Sequence, residues 1–166
     1  TLTNTANNTV TLNASQTLTI AGTFNANAGT IVINGTVTTT GTGVLTGALA
    51  NLSYTSGSIY NHAGDAGVIP TANWNSNSLI NITGTTTTAP TGLNQTFGTL
   101  NINCGLLTGA RTATLTGNVT IQGNLTISGT SVANTMTLNP AGFNFIDNGT
   151  TTINAFGIWN DNASAG

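Results

Sequence analysis

The chain has 166 residues and only 2% of them are charged, against about 25% in a typical soluble domain. Its charged groups are Arg111, Asp65, Asp147 and Asp161, with His62 the one histidine and no Lys or Glu. A single Arg cannot neutralise a run of phosphates, which argues against nucleic acid as a partner, and the lack of a basic patch argues against an anionic membrane surface.

Thr (37 residues), Asn (25) and Gly (21) dominate, and all three disfavour exposed helix. Hydrophobic residues still make up 38% and recur regularly, so the composition is that of a chain with a core, not of a disordered tract. No apolar run reaches the roughly 18 residues of a transmembrane helix. Starting at Thr1 with no Met or leader, the chain reads as a processed product or a fragment. Cys104, the single cysteine, has no intrachain disulfide partner.

In chain order, an apolar–polar–apolar triplet recurs: Val10-Thr11-Leu12, Leu18-Thr19-Ile20, the variants Ile31-Val32-Ile33 and Ile80-Asn81-Ile82, Leu100-Asn101-Ile102, Val119-Thr120-Ile121, Leu125-Thr126-Ile127 and Met136-Thr137-Leu138. A period of two in β-branched residues predicts short half-buried strands. Gly or Asn stands in nearly every gap, as at Gly22, Gly35, Gly84 and Gly123. From Ile121 through Gln122-Gly123-Asn124 to Leu125 the chain turns a corner without hairpin chemistry.

This pattern predicts an all-β fold, a parallel β-solenoid of short strands, over a β-sandwich or jelly roll as the alternative. With about 20 residues per turn, residues 1–166 form one solenoid segment of about eight turns, a rod of roughly 40 Å. Leu12, Leu18, Ile20, Ile31, Ile33, Ile82, Leu100, Ile102, Leu115, Val119, Ile121, Leu125, Ile127 and Leu138 are expected inside, with Cys104 following as a small inert hydrophobe. Outward Thr and Asn should form ladders from turn to turn.

The stretch from Leu45 to Pro90 breaks the rhythm and gathers Tyr54, Tyr60, His62, Asp65, Pro70 and Trp74. It reads as a longer excursion from the coil at about residues 45–90, its rings covering the solenoid wall. Phe143, Phe145, Phe156 and Trp159 form a second aromatic group. Tyr54, Tyr60, Trp74 and Trp159 are the candidates for glycan stacking or packing.

The run Asn51 to His62, then Val68 to Trp74, Ser78 to Gly84, Ala89 to Gly98 and Leu100 to Cys104, resembles a motif series in large secreted surface proteins of Bacteroidota. There it precedes Gly/Thr/Asn-rich repeats like residues 105–139. The resemblance covers residues 50–140 and implies export to the cell surface or beyond, commonly by type IX secretion, and a β-helical stalk. It implies no catalytic residues, and the C-terminal sorting domain of such proteins is not in this sequence.

Catalytic groups are sparse. A polysaccharide-cleaving β-helix needs converging carboxylates or basic residues, and only Asp147 with Asp161 could lie one turn apart. His62 and Asp65 share a Gly-containing segment but lack the further ligands of a transition-metal site, and read as a loop His and a turn-forming Asp. No catalytic, cofactor or metal residue is assigned. Thr-x-Thr pairs such as Thr17-Leu-Thr19 and Thr112-Ala-Thr114 are similar to the ice-binding face of some Thr-rich solenoids, but come at irregular intervals. The expectation is therefore a non-catalytic extracellular or cell-surface segment that self-assembles head to tail into a fibre, filament or stalk. A carbohydrate- or surface-binding adhesin module is the alternative; an ice-binding protein or a polysaccharide-active enzyme has less support.

Overall fold

The computed structural model describes residues 2–3, 8–26 and 28–160. Asp161 therefore lies outside the described residues. The fold is an all-β solenoid with no helix among those residues.

The first turn comprises β1 (Leu2–Thr3), β2 (Thr9–Leu12) and β3 (Thr17–Ile20); the second, β4 (Thr23–Asn25), β5 (Thr30–Ile33) and β6 (Thr36–Thr40). The third holds β7 (Val44–Thr46), β8 (Leu52–Tyr54) and β9 (Ile59–Ala63). The fourth and fifth carry two strands each, β10 (Asn73–Trp74) with β11 (Leu79–Ile82), and β12 (Thr96–Phe97) with β13 (Thr99–Asn103). Three strands return in the sixth, β14 (Arg111–Thr114), β15 (Val119–Ile121) and β16 (Leu125–Ser128), and in the seventh, β17 (Met136–Asn139), β18 (Phe145–Asp147) and β19 (Thr151–Ile153). β20 (Gly157–Trp159) begins the next turn.

Every pairing between these strands is parallel, which overturns the sandwich alternative, whose sheets are antiparallel. The longest sheet runs β3-β6-β9-β11-β13-β16-β19, one strand per turn. It gives seven turns where about eight were expected. The reason is turn length: Thr17 pairs with Thr36, but Leu125 with Thr151, so turns lengthen toward the C-terminus. The extra residues sit in the corners and leave the strand register intact. At about 4.8 Å per strand the rod is ~34 Å long.

Along this sheet one inward column reads Leu18, Val37, Tyr60, Ile80, Leu100, Leu125, Thr151, and the other Ile20, Thr39, His62, Ile82, Ile102, Ile127, Ile153. The residues expected inside are buried, apart from Leu12 and Leu18. These two are half-buried because the first turn has a neighbour on one side only. Each buried Leu or Ile contributes about 1.5–3 kcal/mol.

Outward, the central row is Thr19, Thr38, Asn61, Asn81, Asn101, Thr126 and Thr152. Asn101 donates to Asn81 (3.1 Å), Asn81 to Asn61 (2.9 Å) and Asn61 to the Thr38 hydroxyl (3.2 Å), which makes the expected ladder. At the corner after this sheet, glycine is dictated by close approach. A Cβ on Gly64 would run into the Gly41 carbonyl oxygen, and one on Gly84 into the Ala63 carbonyl.

Residues 45–90 are not an excursion. β8, β9, β10 and β11 continue the ladders in register, and only the first-strand face is lost in the fourth and fifth turns. Pro70 and Pro90 lie there, and neither can donate to a ladder. The two loops pair through a parallel bridge of Val68 with Thr91, in which the Ile69 N–H donates to the Thr91 carbonyl (2.9 Å) and the Thr91 N–H to the Gly67 carbonyl (3.0 Å).

Candidate functional site

Tyr54, Tyr60 and Trp74 do not cover the wall. They point inward and are 2%, 0% and 4% exposed, because each occupies an inward register position of its strand. Trp74 stacks on Tyr54 with centroids 4.2 Å apart and 23° between planes, Tyr60 meets Tyr54 edge-on at 6.0 Å, and Phe97 follows Trp74 at 5.9 Å. The Trp74 indole N–H donates to Gln95 Oε1 (2.8 Å), and Gln95 Nε2 donates to the carbonyls of Gly92 (2.7 Å) and Pro70 (3.2 Å). Gln95 thus fastens the aromatic core to both proline loops. Its signal in the sequence was position: it stands 21 residues after Trp74, one turn on. Burial leaves these three rings no face for a sugar.

His62 is not in a loop. It lies in β9, in the inward column between Thr39 and Ile82, and is 3% exposed. Its Nε2 stands 2.6 Å from the Ala66 carbonyl oxygen, so that nitrogen carries the proton. Nδ1 is then an acceptor facing the hydroxyls of Thr39 and Tyr60, both at 3.3 Å, and these two hydroxyls share a hydrogen bond of 3.1 Å with each other. Burial lowers the imidazole pKa, and the Ala66 hydrogen bond offsets only part of this. Burial likewise pushes the Tyr60 phenol up to about 12, against a smaller opposing effect of the Thr39 hydrogen bond.

Asp65, three residues on, faces the next turn. Its Oδ1 accepts the backbone N–H groups of Thr86 (2.7 Å), Thr87 (2.9 Å) and Thr88 (3.0 Å), and its Oδ2 accepts the Thr87 hydroxyl. Desolvation alone would raise its pKa; these four hydrogen bonds outweigh it and hold the carboxyl well below the usual range. His62, Asp65, Ala66 and Gly67 line a cavity of about 280 Å³ with the Gly41–Val44 turn. Both ionisable groups there are committed to the fold: the imidazole holds the Ala66 turn and the carboxylate ties two turns together. Among the described residues, no three His, Cys, Asp or Glu side chains gather as a metal site.

The last turn is different. Phe145, Asp147, Thr151, Ile153 and Trp159 line an open cup of about 390 Å³. Trp159 is half-buried and meets Phe145 edge-to-face at 4.6 Å and 70°. These positions register on Val119, Ile121, Leu125, Ile127 and Leu138, all buried. Asp147 thus stands in the column of Phe97 and Ile121, and Thr151 in that of Leu100 and Leu125. Asp147 Oδ1 accepts the Gly149 N–H (3.0 Å) and Oδ2 the Thr151 hydroxyl. Of the four aromatic candidates, Trp159 is the one that reaches a surface.

Cys104 is fully buried, and burial raises its thiol pKa, with the Thr85 hydroxyl opposing this in part. That is the environment of an inert thiol. Arg111, half-buried at the start of β14, bonds through Nη1 to the Ala110 carbonyl (2.8 Å). Arg111 and Asp147 thus belong to separate features, the first strand of a ladder and the open last turn. No helix in the described residues is long and apolar enough to cross a membrane. Comparison with protein-family models, with curated proteins and with solved structures found no match to this chain.

Proposed function

We propose that the chain is a non-catalytic, rod-forming segment of an extracellular surface fibre, filament or stalk whose copies stack head to tail. The supporting observation is axial continuity. Seven turns stack in one direction, and the solenoid closes each turn only against its neighbours along the axis. The outermost strands are β1, β2 and β3 at one end and β18, β19 and β20 at the other, all parallel. A parallel edge is continued by a strand running the same way, so one copy's first turn suits another's last turn, and such a contact does not close on itself. Export rests on the resemblance to secreted Bacteroidota proteins and on the near-absence of charge.

Electron microscopy and sedimentation of concentrated protein test assembly. Filaments one solenoid wide are expected, shortened by Ile153→Pro, which removes an outward-facing edge N–H from β19. Single copies at every concentration would overturn head-to-tail stacking. A carbohydrate-binding role draws less support, since three candidate rings are in the core. An ice-binding face draws less as well, because the central outward row changes from Thr to Asn after Thr38.

A further inference from the structure

Two Asn-Gly pairs stand in the sequence, Asn34-Gly35 and Asn148-Gly149. Glycine has no Cβ to shield its backbone nitrogen, so that nitrogen can attack the side-chain amide carbon of the Asn before it. The solenoid places both pairs at corners, the first between β5 and β6 and the second between β18 and β19. Asn34-Gly35 is closed in from both sides. The Asn34 N–H donates to the Leu12 carbonyl (2.8 Å) in the turn before, and Asn34 Oδ1 accepts the Thr55 hydroxyl (2.8 Å) from the turn after. Gly35 is buried, its carbonyl accepts the Ile59 N–H (3.0 Å), and a Cβ there would run into the carbonyl oxygens of Asn13 and Gln16.

Asn148 and Gly149 are both exposed. That exposure belongs to the corner and not to the end of the rod: Gln122, in the same corner one turn earlier, is exposed with turns stacked on both sides of it. The Gly149 N–H donates to Asp147 Oδ1 (3.0 Å), so a carboxylate already sits on the proton that the attacking nitrogen must lose. We propose that Asn148 is a site of spontaneous backbone modification, converted through a cyclic succinimide to aspartate and isoaspartate, whereas the fold protects Asn34. The Gly149 nitrogen bonds to Asn148 Cγ, the Cγ–Nδ2 bond breaks, and the Gly149 proton passes by way of Asp147 to the departing ammonia. Water then opens the ring at either carbonyl. Opening at the backbone carbonyl reroutes the chain through Cβ and Cγ and lengthens it by one carbon atom. This corner has no slack for that atom, since Gly149 lies against the Gly123 carbonyl and the Thr150 N–H is tied to Asn124 Oδ1 (3.1 Å). The product therefore loosens β19 from β16 and puts a new carboxylate beside Asp147. The site goes beyond the structural role and does not depend on stacking.

Dilute protein held at mildly alkaline pH, sampled over days and digested with pepsin, tests this. Mass spectrometry quantifies the peptides, and enzymatic methylation reports isoaspartate. In folded protein Asn148 should convert about tenfold or more faster than Asn34, because a closed corner reacts only through local opening. In urea the two rates should converge. Asp147→Asn keeps an acceptor for Gly149 but removes the base, and should slow Asn148 several-fold while leaving Asn34 unchanged. The Asn154 N–H, bonded to the Ile127 carbonyl (2.9 Å), should exchange its hydrogen faster in aged protein than in fresh. Equal rates at the two asparagines in folded protein, or an Asn148 that keeps its amide in the fold while converting in urea, would overturn the proposal. An unchanged rate in Asp147→Asn would overturn the part given to the carboxylate.

Discussion

Tyr54 and Trp74 are register partners on adjacent turns, and their rings stack 4.2 Å apart inside the solenoid. The stack, with Tyr60 and Phe97 around it, carries the inward column of Leu12 and Ile33 into the turns where the first-strand face is lost, beside the unbroken columns through Ile80, Ile82, Leu100 and Ile102. Large rings fill the width that the two proline loops leave.

Trp74→Ala should therefore cost about 3–5 kcal/mol in urea unfolding, the usual range for emptying a buried aromatic site. Trp74→Phe should cost less, although it leaves Gln95 Oε1 without its strongest donor. A loss below about 1 kcal/mol for the alanine variant would show that the site collapses or that the stack is not built as described.

The Asn ladder should be worth less, because it is partly solvated. Asn81→Ala removes the donor to Asn61 and the acceptor for Asn101, for an expected loss of about 1 kcal/mol. A double-mutant cycle of Asn61→Ala with Asn81→Ala should give a coupling of about 0.5 kcal/mol or more. Strict additivity would mean that water replaces the ladder at no net cost.

Stability should decline toward acid in two stages. His62 has a folded pKa below its unfolded value near 6.5, so the unfolded chain binds the proton first. Stability is thus level above about pH 6.5 and falls below it, until the folded imidazole also protonates. Asp65 has its folded pKa lowered from 3.8, so its contribution is complete above that value and is lost as pH falls further. Chemical unfolding between neutral and acid pH checks both. His62→Gln should flatten the first stage and leave the second; an unchanged first stage in that variant would remove His62 as its source.

Trypsin has one candidate site, after Arg111. That residue lies in β14, and its N–H donates to the Thr135 carbonyl at 2.8 Å. Native protein should survive trypsin for hours and be cut once when unfolded, giving two fragments on a gel. Rapid cleavage of the native protein would place the β13–β14 connection among the least stable parts of the fold.

The sequence by itself determined that the chain is all-β, that its strands are short and which side chains of the triplets face in. Period two across triplets such as Leu125-Thr126-Ile127 needs no partner to be read, and Gly or Asn at the corners separates one strand from the next. Cys104 was legible as a core residue for the same reason: it continues the alternation of Leu100 and Ile102. What only the tertiary structure decided is which strand lies on which. Turn length varies, so Thr17 finds Thr36 but Leu125 finds Thr151, and a fixed period overcounts the turns.

The same ignorance hid the aromatic core. Tyr54 and Trp74 lie in a segment with few triplets and two prolines, which looked like a departure from the coil. Their stacking depends on a register between turns that local pattern does not carry. His62 read as a loop residue because Gly64 and Asp65 follow it closely, yet its place between Thr39 and Ile82 is set by the ladder. The cup at Asp147 was invisible for a related reason: Phe145 and Trp159 come from different faces, and only the stacking of turns brings them together.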